Sequence, residues 1–315
     1  MSARRPSFPA VLLIAVLLLL AGLDLLAGNG FSWPAEAVFW KLRLPRMLTA
    51  AVAGASLALA GAQMQGIFRN PLADPHIMGV SGGAGLGAAI AALSVTGTTA
   101  WAGLSMAAAA FVGALAVGLL IVAVSARVQS TGTLLLAGVL LGFVLSAISS
   151  ILQYSAGEES LKLFYSWMAG SFSGVRFSGL LLMALALLLG LAMALADAKG
   201  LNLMLFGDDY ATFSGARVRS LRLRVMASCA LLTGTVTACC GPIGFVGIAA
   251  PHLVRRLLGT SVHQRVLPWS LAMGACLSLV ADILSQLGPI PLPVGSTLAL
   301  IGIPLIVILL WRTRL

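Results

Sequence analysis

The chain has 315 residues, 60% of them apolar and only 9% charged, with a formal net charge of +10 and a mean hydropathy of +1.05. Soluble domains carry roughly a quarter of their residues as charges, so this composition excludes a soluble enzyme or globular binding module and indicates an all-α polytopic membrane protein. Crossing the hydrocarbon takes about 20 apolar residues per helix, because no water is present there to satisfy the backbone. Residues 1–315 therefore form a single transmembrane domain of about ten helices with short loops. Lys and Arg sit at the ends of apolar runs with no aromatic platforms between them, which makes them topology determinants rather than a nucleic-acid surface. Cys229, Cys239, Cys240 and Cys276 lie inside apolar stretches without metal-ligand spacing and read as packing residues.

Arg4 and Arg5 precede the apolar run from Ala10 to Ala27 as in a signal peptide, but no small-x-small cleavage site follows, so an uncleaved first helix is expected. Charge-poor runs predict spans at 9–28, 47–66, 76–97, 101–126, 133–154, 177–197, 224–240, 242–258, 267–288 and 294–311. Ten spans place both termini on one side. With the N-terminus cytoplasmic, Arg4, Arg5, Arg69, Arg127, Lys199, Arg217, Arg219, Arg222, Arg224, Arg255, Arg256, Arg265, Arg312 and Arg314 lie inside. Lys41, Arg43, Arg46, Lys162 and Arg176 lie outside, so 14 cations stand against 5. The positive-inside rule thus predicts cytoplasmic termini.

The first outer loop, from Asn29, carries Trp33, Phe39 and Trp40, aromatics suited to a membrane boundary, and ends in Arg43-Leu44-Pro45-Arg46. Two arginines at this outer end either contact lipid phosphates or pair with carboxylates of an external partner. The stretch Arg69-Asn70-Pro71-Leu72-Ala73-Asp74-Pro75-His76 has two prolines that stop an arriving helix. It predicts a turn at the membrane boundary. Gly79, Gly83 and Gly87, four residues apart, predict close approach of another helix. Residues 155–174 are long enough for a short interfacial helix. The most polar segment, 197–224, interleaves Leu201, Leu203, Leu205 and Phe206 with polar residues, as suits short cytoplasmic helices lying against another protein. The thirty uncharged residues 225–254 are interrupted by Gly241-Pro242, which predicts a broken or partly re-entrant element. Pro251-His252 falls 176 residues after Pro75-His76, a weak hint of internal duplication.

The chain has no Gly-x-x-x-x-Gly-Lys-[Ser/Thr] phosphate loop. Gly83-Ala84-Gly85-Leu86-Gly87 follows no strand and reads as helix packing. His76, His252 and His263 are scattered, so neither a catalytic constellation nor a metal site is expected. Asp282 is the one acid deep in a span, with Asp24 near a helix end; an ion-coupled secondary transporter using Asp282 is the remote alternative to a permease driven by another subunit.

Several motifs resemble the iron-siderophore, haem and vitamin B12 ABC importer permeases, the FecCD-type or BtuC-like family. These are Arg43-Leu44-Pro45-Arg46, Gly54-Ala55-Ser56-Leu57-Ala58, Arg69-Asn70-Pro71-Leu72-Ala73-Asp74-Pro75 and Gly79-Val80-Ser81-Gly82-Gly83-Ala84. Leu134-Leu135-Leu136-Ala137-Gly138, Gly241-Pro242-Ile243-Gly244-Phe245-Val246-Gly247, Pro251-His252, Leu267-Pro268, Ala281-Asp282 and Leu292-Pro293-Val294-Gly295 follow in the family's order. The resemblance implies a type II ABC importer permease of ten helices in the cytoplasmic (inner) membrane, without catalysis of its own. It also implies a second permease subunit, identical or paralogous, two ATP-binding cassette subunits that hold the ATP and Mg, and a periplasmic or lipoprotein binding protein. No cofactor is implied on this chain. The family's pattern puts binding-protein docking at Arg43 and Arg46, a cytoplasmic gate at Asn70, Leu72, Thr131 and Gly132, and ATPase coupling at Leu205, Gly207, Asp208, Ala211 and Gly215. Two positions depart from it: Gln286 stands where an arginine is usual and Pro291 where a glutamate is. The cargo implied is an iron(III)-siderophore or related metal chelate, with haem and cobalamin as alternatives.

Overall fold

A computed structural model describes residues 7–27, 33–94, 100–128, 130–288 and 291–312. Arg4, Arg5, Asn29, residues 95–97 and Arg314 lie outside them. Among the described residues the architecture is wholly helical. The helices are α1 (Ser7–Leu26), α2 (Glu36–Phe68), α3 (Val80–Ser94), α4 (Ala100–Arg127), α5 (Thr131–Tyr154), α6 (Glu158–Met168), α7 (Phe177–Met204), α8 (Asp208–Phe213), α9 (Val218–Cys240), α10 (Val246–Leu258), α11 (His263–Ser285) and α12 (Val294–Arg312). Ten of them, α1–α5, α7 and α9–α12, occupy the ten predicted apolar segments; α6 and α8 are the short helices expected in the two polar segments.

The molecule is built around α2. Pro45 has no N–H to give, and the helix widens to π geometry over Phe39–Arg43 just before it, where the hydrogen-bond ladder is interrupted anyway. Beyond Ala53 nearly every side chain is buried, because α7, α9, α10 and α11 all pack on α2. Small residues make this possible. A Cβ on Gly54 would lie 2.2 Å from the Gly274 carbonyl oxygen of α11, and one on Gly61 would lie 1.9 Å from that of Gly247 in α10. Gly83 and Gly87 of α3 meet Gly113 and Ala109 of α4 in the same way, as their spacing predicted. By contrast α4, α5 and α7 expose broad apolar faces that include Leu119, Phe143, Ile151, Leu181 and Leu188.

Residues 69–79 are more than the boundary turn expected. Arg69, at φ 50°, ends α2; Asn70 Oδ1 then accepts the Leu72 N–H at 2.9 Å, and Asp74 Oδ1 accepts the His76 N–H at 2.7 Å to start a 3₁₀ turn, Pro75–Met78. That turn folds back along α2, with Pro75 against Gly247, which itself sits on Gly61. His76 fixes it there: Nε2–H donates to the Ile243 carbonyl at 2.5 Å, leaving Nδ1 to accept the Ser81 hydroxyl. The correction has a physical cause, since glycine at 61 and 247 leaves room beside α2 that the chain fills.

The break at 241–245 is as predicted, and α10 is 13 residues long, about 20 Å at 1.5 Å per residue. That is shorter than a bilayer core of about 30 Å. Several predicted ends move: α2 begins before residue 47, α7 runs past 197 to Met204, and α9 starts at Val218 rather than 224. Arg222 and Arg224 therefore belong to a helix and not to a loop.

Candidate functional site

The predicted site residues gather at the two ends of α2. At the Arg46 end, Arg46 forms a bidentate ion pair with Asp282, Nη2 to Oδ1 at 2.8 Å and Nε to Oδ2 at 2.9 Å, and Nη2 also donates to Ser285 Oγ at 2.9 Å. The Asp282 side chain has no exposed surface and that of Arg46 is 14% exposed. A carboxylate so buried is tolerable only because a planar guanidinium matches both oxygens. Arg43 donates from Nη1 to Gln286 Oε1 at 2.8 Å, and the Gln286 amide passes the connection on to Asp24 Oδ1 at 3.2 Å and Asp282 Oδ2 at 3.1 Å. Thus α1, α2 and α11 are bound by one polar network, with Gln286 as a neutral bridge in the position where the resembled family carries a cation.

Beside this network opens a cavity of about 730 Å³ lined by Lys41, Arg43, Arg46 and Arg176, with Phe177 and Pro291 on its walls. Among the described residues its lining holds four cations and no carboxylate. Lys41 and Arg176 are exposed, while Arg43 is half-buried. The potential there favours an anionic group.

At the Asn70 end, Asp208 is in contact with Thr131 among the residues expected for the gate, and with Arg69 and Arg222, which were not expected there. The Asp208 side chain opens α8 and accepts from Arg222 Nη2 at 3.0 Å, from Thr131 Oγ1 at 3.2 Å and, more weakly, from Arg69 Nη2 at 3.5 Å. Arg222 is buried at 3% exposure and also donates from Nη1 to the Val128 carbonyl at 3.1 Å. Gly207 precedes Asp208 at φ 110°, a conformation that side-chain-bearing residues avoid, and a Cβ there would come within 3.2 Å of Arg69. Ala211 is the fully buried residue of α8, Gly215 ends the segment at φ 85° with open space around it, and Leu205 is 37% exposed. Leu72 is exposed, Thr131 is buried and Gly132 is exposed on the first turn of α5, whose N-cap is Ser130.

Two features at this end go beyond the sequence reading, which named Phe206 but neither Tyr210 nor Phe213. Phe206, Tyr210 and Phe213 stand 72%, 51% and 92% exposed around α8, with the first two rings 5.1 Å apart. The signal was available, since aromatics four residues apart in the most polar segment are unusual for a merely solvated loop. The second is Arg222, counted with the topology-setting cations. Its neighbour Arg224 likewise pairs with Asp197, Nη2 to Oδ1 at 2.5 Å, joining α9 to α7.

The sequence matches the FecCD transport family over residues 9–312. The chain belongs to the FecCD transport family. Among relatives in this family, the hemin transport system permease protein HmuU of Yersinia pestis is 36% identical over 281 residues, 88% of this chain and 84% of that protein. The vitamin B12 import system permease protein BtuC of Klebsiella pneumoniae is 36% identical over 321 aligned positions, covering 99% and 95%. A solved inward-facing structure described as a metal-chelate type ABC transporter superposes with a TM-score of 0.87 at 32% identity, covering 97% of this chain and all of that one. The FecCD protein described here is therefore a multi-pass membrane protein with the permease fold of ABC importers.

Proposed function

We propose that this chain is the permease subunit of an ATP-driven importer that carries a metal chelate, foremost an iron(III)-siderophore, across the cytoplasmic membrane by alternating access. The observation that carries the reading is the pairing of two unlike ends on one central helix. At one end an aromatic-studded helix, α8, is hydrogen-bonded to the segments that hold Asn70, Leu72, Thr131 and Gly132; at the other is a basic cavity. In this reading α8 and the 205–215 segment face the cytoplasm, where Phe206, Tyr210 and Phe213 seat in a groove of an ATP-binding subunit. Leu72, Thr131 and Gly132 form the inner gate.

The opposite end receives a periplasmic or lipoprotein binding protein through its carboxylates. Arg43, with Lys41 and Arg176, supplies accessible charge for that encounter, and Arg46 braces the site through Asp282. Charge of this kind sets register and on-rate more than affinity. ATP and Mg belong to the partner subunits and this chain holds no cofactor. Two permease subunits, either two copies or one with a paralogue, meet through the exposed apolar faces.

Haem or cobalamin is the second reading for the cargo, supported by the names of the 36% identical relatives. The deciding experiment is native mass spectrometry and ATPase assay of the permease co-expressed with an ATP-binding subunit, with and without binding proteins loaded with siderophore, haem or cobalamin. A two-plus-two complex whose hydrolysis is stimulated by one loaded binding protein is expected, and it names the cargo. Failure to bind any ATP-binding subunit, with uptake following a proton or sodium gradient instead, overturns the reading.

A further inference from the structure

We infer that Arg222 is a positioning residue that ties the short helix α8 to the start of α5, so that displacement of one is delivered to the other. The inference rests on the importer reading above and adds to it the physical part that transmits the movement.

Three observations lead to it. First, Arg222 is held from below: it lies on α9 among Leu221, Val225 and Met226, all buried, and its own surface is 3% exposed. It cannot touch a docked subunit. Second, its guanidinium divides its hydrogen bonds between two separate pieces of chain. Nη1 binds the Val128 carbonyl at the end of α4 at 3.1 Å, while Nη2 binds Asp208 Oδ2 at 3.0 Å and reaches Thr131 Oγ1 at 3.5 Å. Third, the other links to Asp208 do not replace this fork: Arg69 is 45% exposed and 3.5 Å away, where solvent screens the pair, and the Thr131 hydroxyl at 3.2 Å is a single bond that joins α8 to the same start of α5 and so adds to the tie.

A planar guanidinium fixes the separation of the groups it bridges, which a lysine ammonium does not. If α8 moved while the 128–131 segment stayed, one side of this fork would open and leave a charge or a carbonyl buried without its partner. That penalty is large in a buried site. The two elements therefore move together or not at all, which is what a two-state transmission needs.

The test uses the full permease assembled with its ATP-binding subunits in proteoliposomes, comparing wild type with Arg222→Gln and Arg222→Lys. Assembly, ATP hydrolysis, transport per ATP and the ATP-induced response of a spin label at Gly132→Cys are read together. Expected are intact assembly and hydrolysis, with both the label response and transport per ATP reduced about tenfold in Arg222→Gln, within the usual range for coupling between sites. Arg222→Lys keeps the buried charge and loses only the fork, so it carries the test where the glutamine variant fails to fold; a smaller drop in both coupling readouts is expected. Wild-type transport per ATP and label response in Arg222→Lys overturn the tie. So does loss of subunit assembly in a folded Arg222→Lys protein, which would place the residue's effect on the docking surface. A wild-type chain that takes up no ATP-binding subunit sinks the importer reading itself, an outcome distinct from either.

Discussion

Asp282 shows how a residue's neighbours decide its role. An isolated acid in a span invites ion coupling, yet here both oxygens are taken by Arg46 and the Gln286 amide adds a third donor. Removing one member of a buried pair strands the other and costs about 3–5 kcal/mol. Asp282→Asn is therefore expected to lower the melting temperature of the purified protein by several degrees, with uptake falling only as folded protein is lost. Thermal unfolding in detergent alongside uptake checks this; abolished uptake at an unchanged melting temperature would restore Asp282 as an ion site. Phe213 is the opposite case. It is 92% exposed and supports nothing in the fold, so Phe213→Ala leaves thermal stability unchanged. A buried aromatic anchor at an interface is worth about 2 kcal/mol or more. The substitution is accordingly expected to weaken capture of the ATP-binding subunit by more than tenfold, as measured by surface-immobilised binding.

Among elements, the contact of α2 with α10 is the most exacting. At Gly61 an added methyl would collide with backbone rather than with a flexible side chain. Overpacking of this kind costs about 1–3 kcal/mol, and more where backbone must shift. Gly61→Ala is expected to cut the yield of folded protein sharply, whereas Gly85→Ala on α3, with nothing within 4 Å of the new atom, leaves it unchanged; fluorescence-detected size-exclusion of the two variants decides the matter. The ten apolar segments, the short helix α6 and the break after Cys240 were legible because hydropathy and glycine-proline punctuation are local signals. The fold-back of 69–79 was not, since it depends on glycines at 61 and 247 meeting across the core. Nor was the Arg46–Asp282 pair, whose members are 236 residues apart. Nothing in the local pattern of either residue names the other.

For the whole molecule, the distribution of 14 cations against 5 predicts which end faces the cytoplasm. Asp209 and Glu159 are both exposed and lie beyond opposite ends of α5, the former beside its start and the latter after its close. In intact cells, Glu159→Cys is expected to react with a membrane-impermeant maleimide and Asp209→Cys only after the membrane is opened. The reverse pattern would invert the orientation and with it the assignment of docking and coupling ends.

The glycine contacts of α2 have a mechanical meaning as well. Gly54 against Gly274 and Gly61 against Gly247 bring backbone onto backbone, with only the small Ser278 and Ala58 side chains beside the first pair, so no long side chain is there to change rotamer and admit sliding. A shift of one residue in either register would drive a Cβ into a carbonyl. The trio α2, α10 and α11 is thus a stator, and whatever rotation the molecule performs has to be taken up by helices that pack through side chains, as α7 does where Gly190 and Gly200 meet the Leu232 and Leu221 side chains of α9.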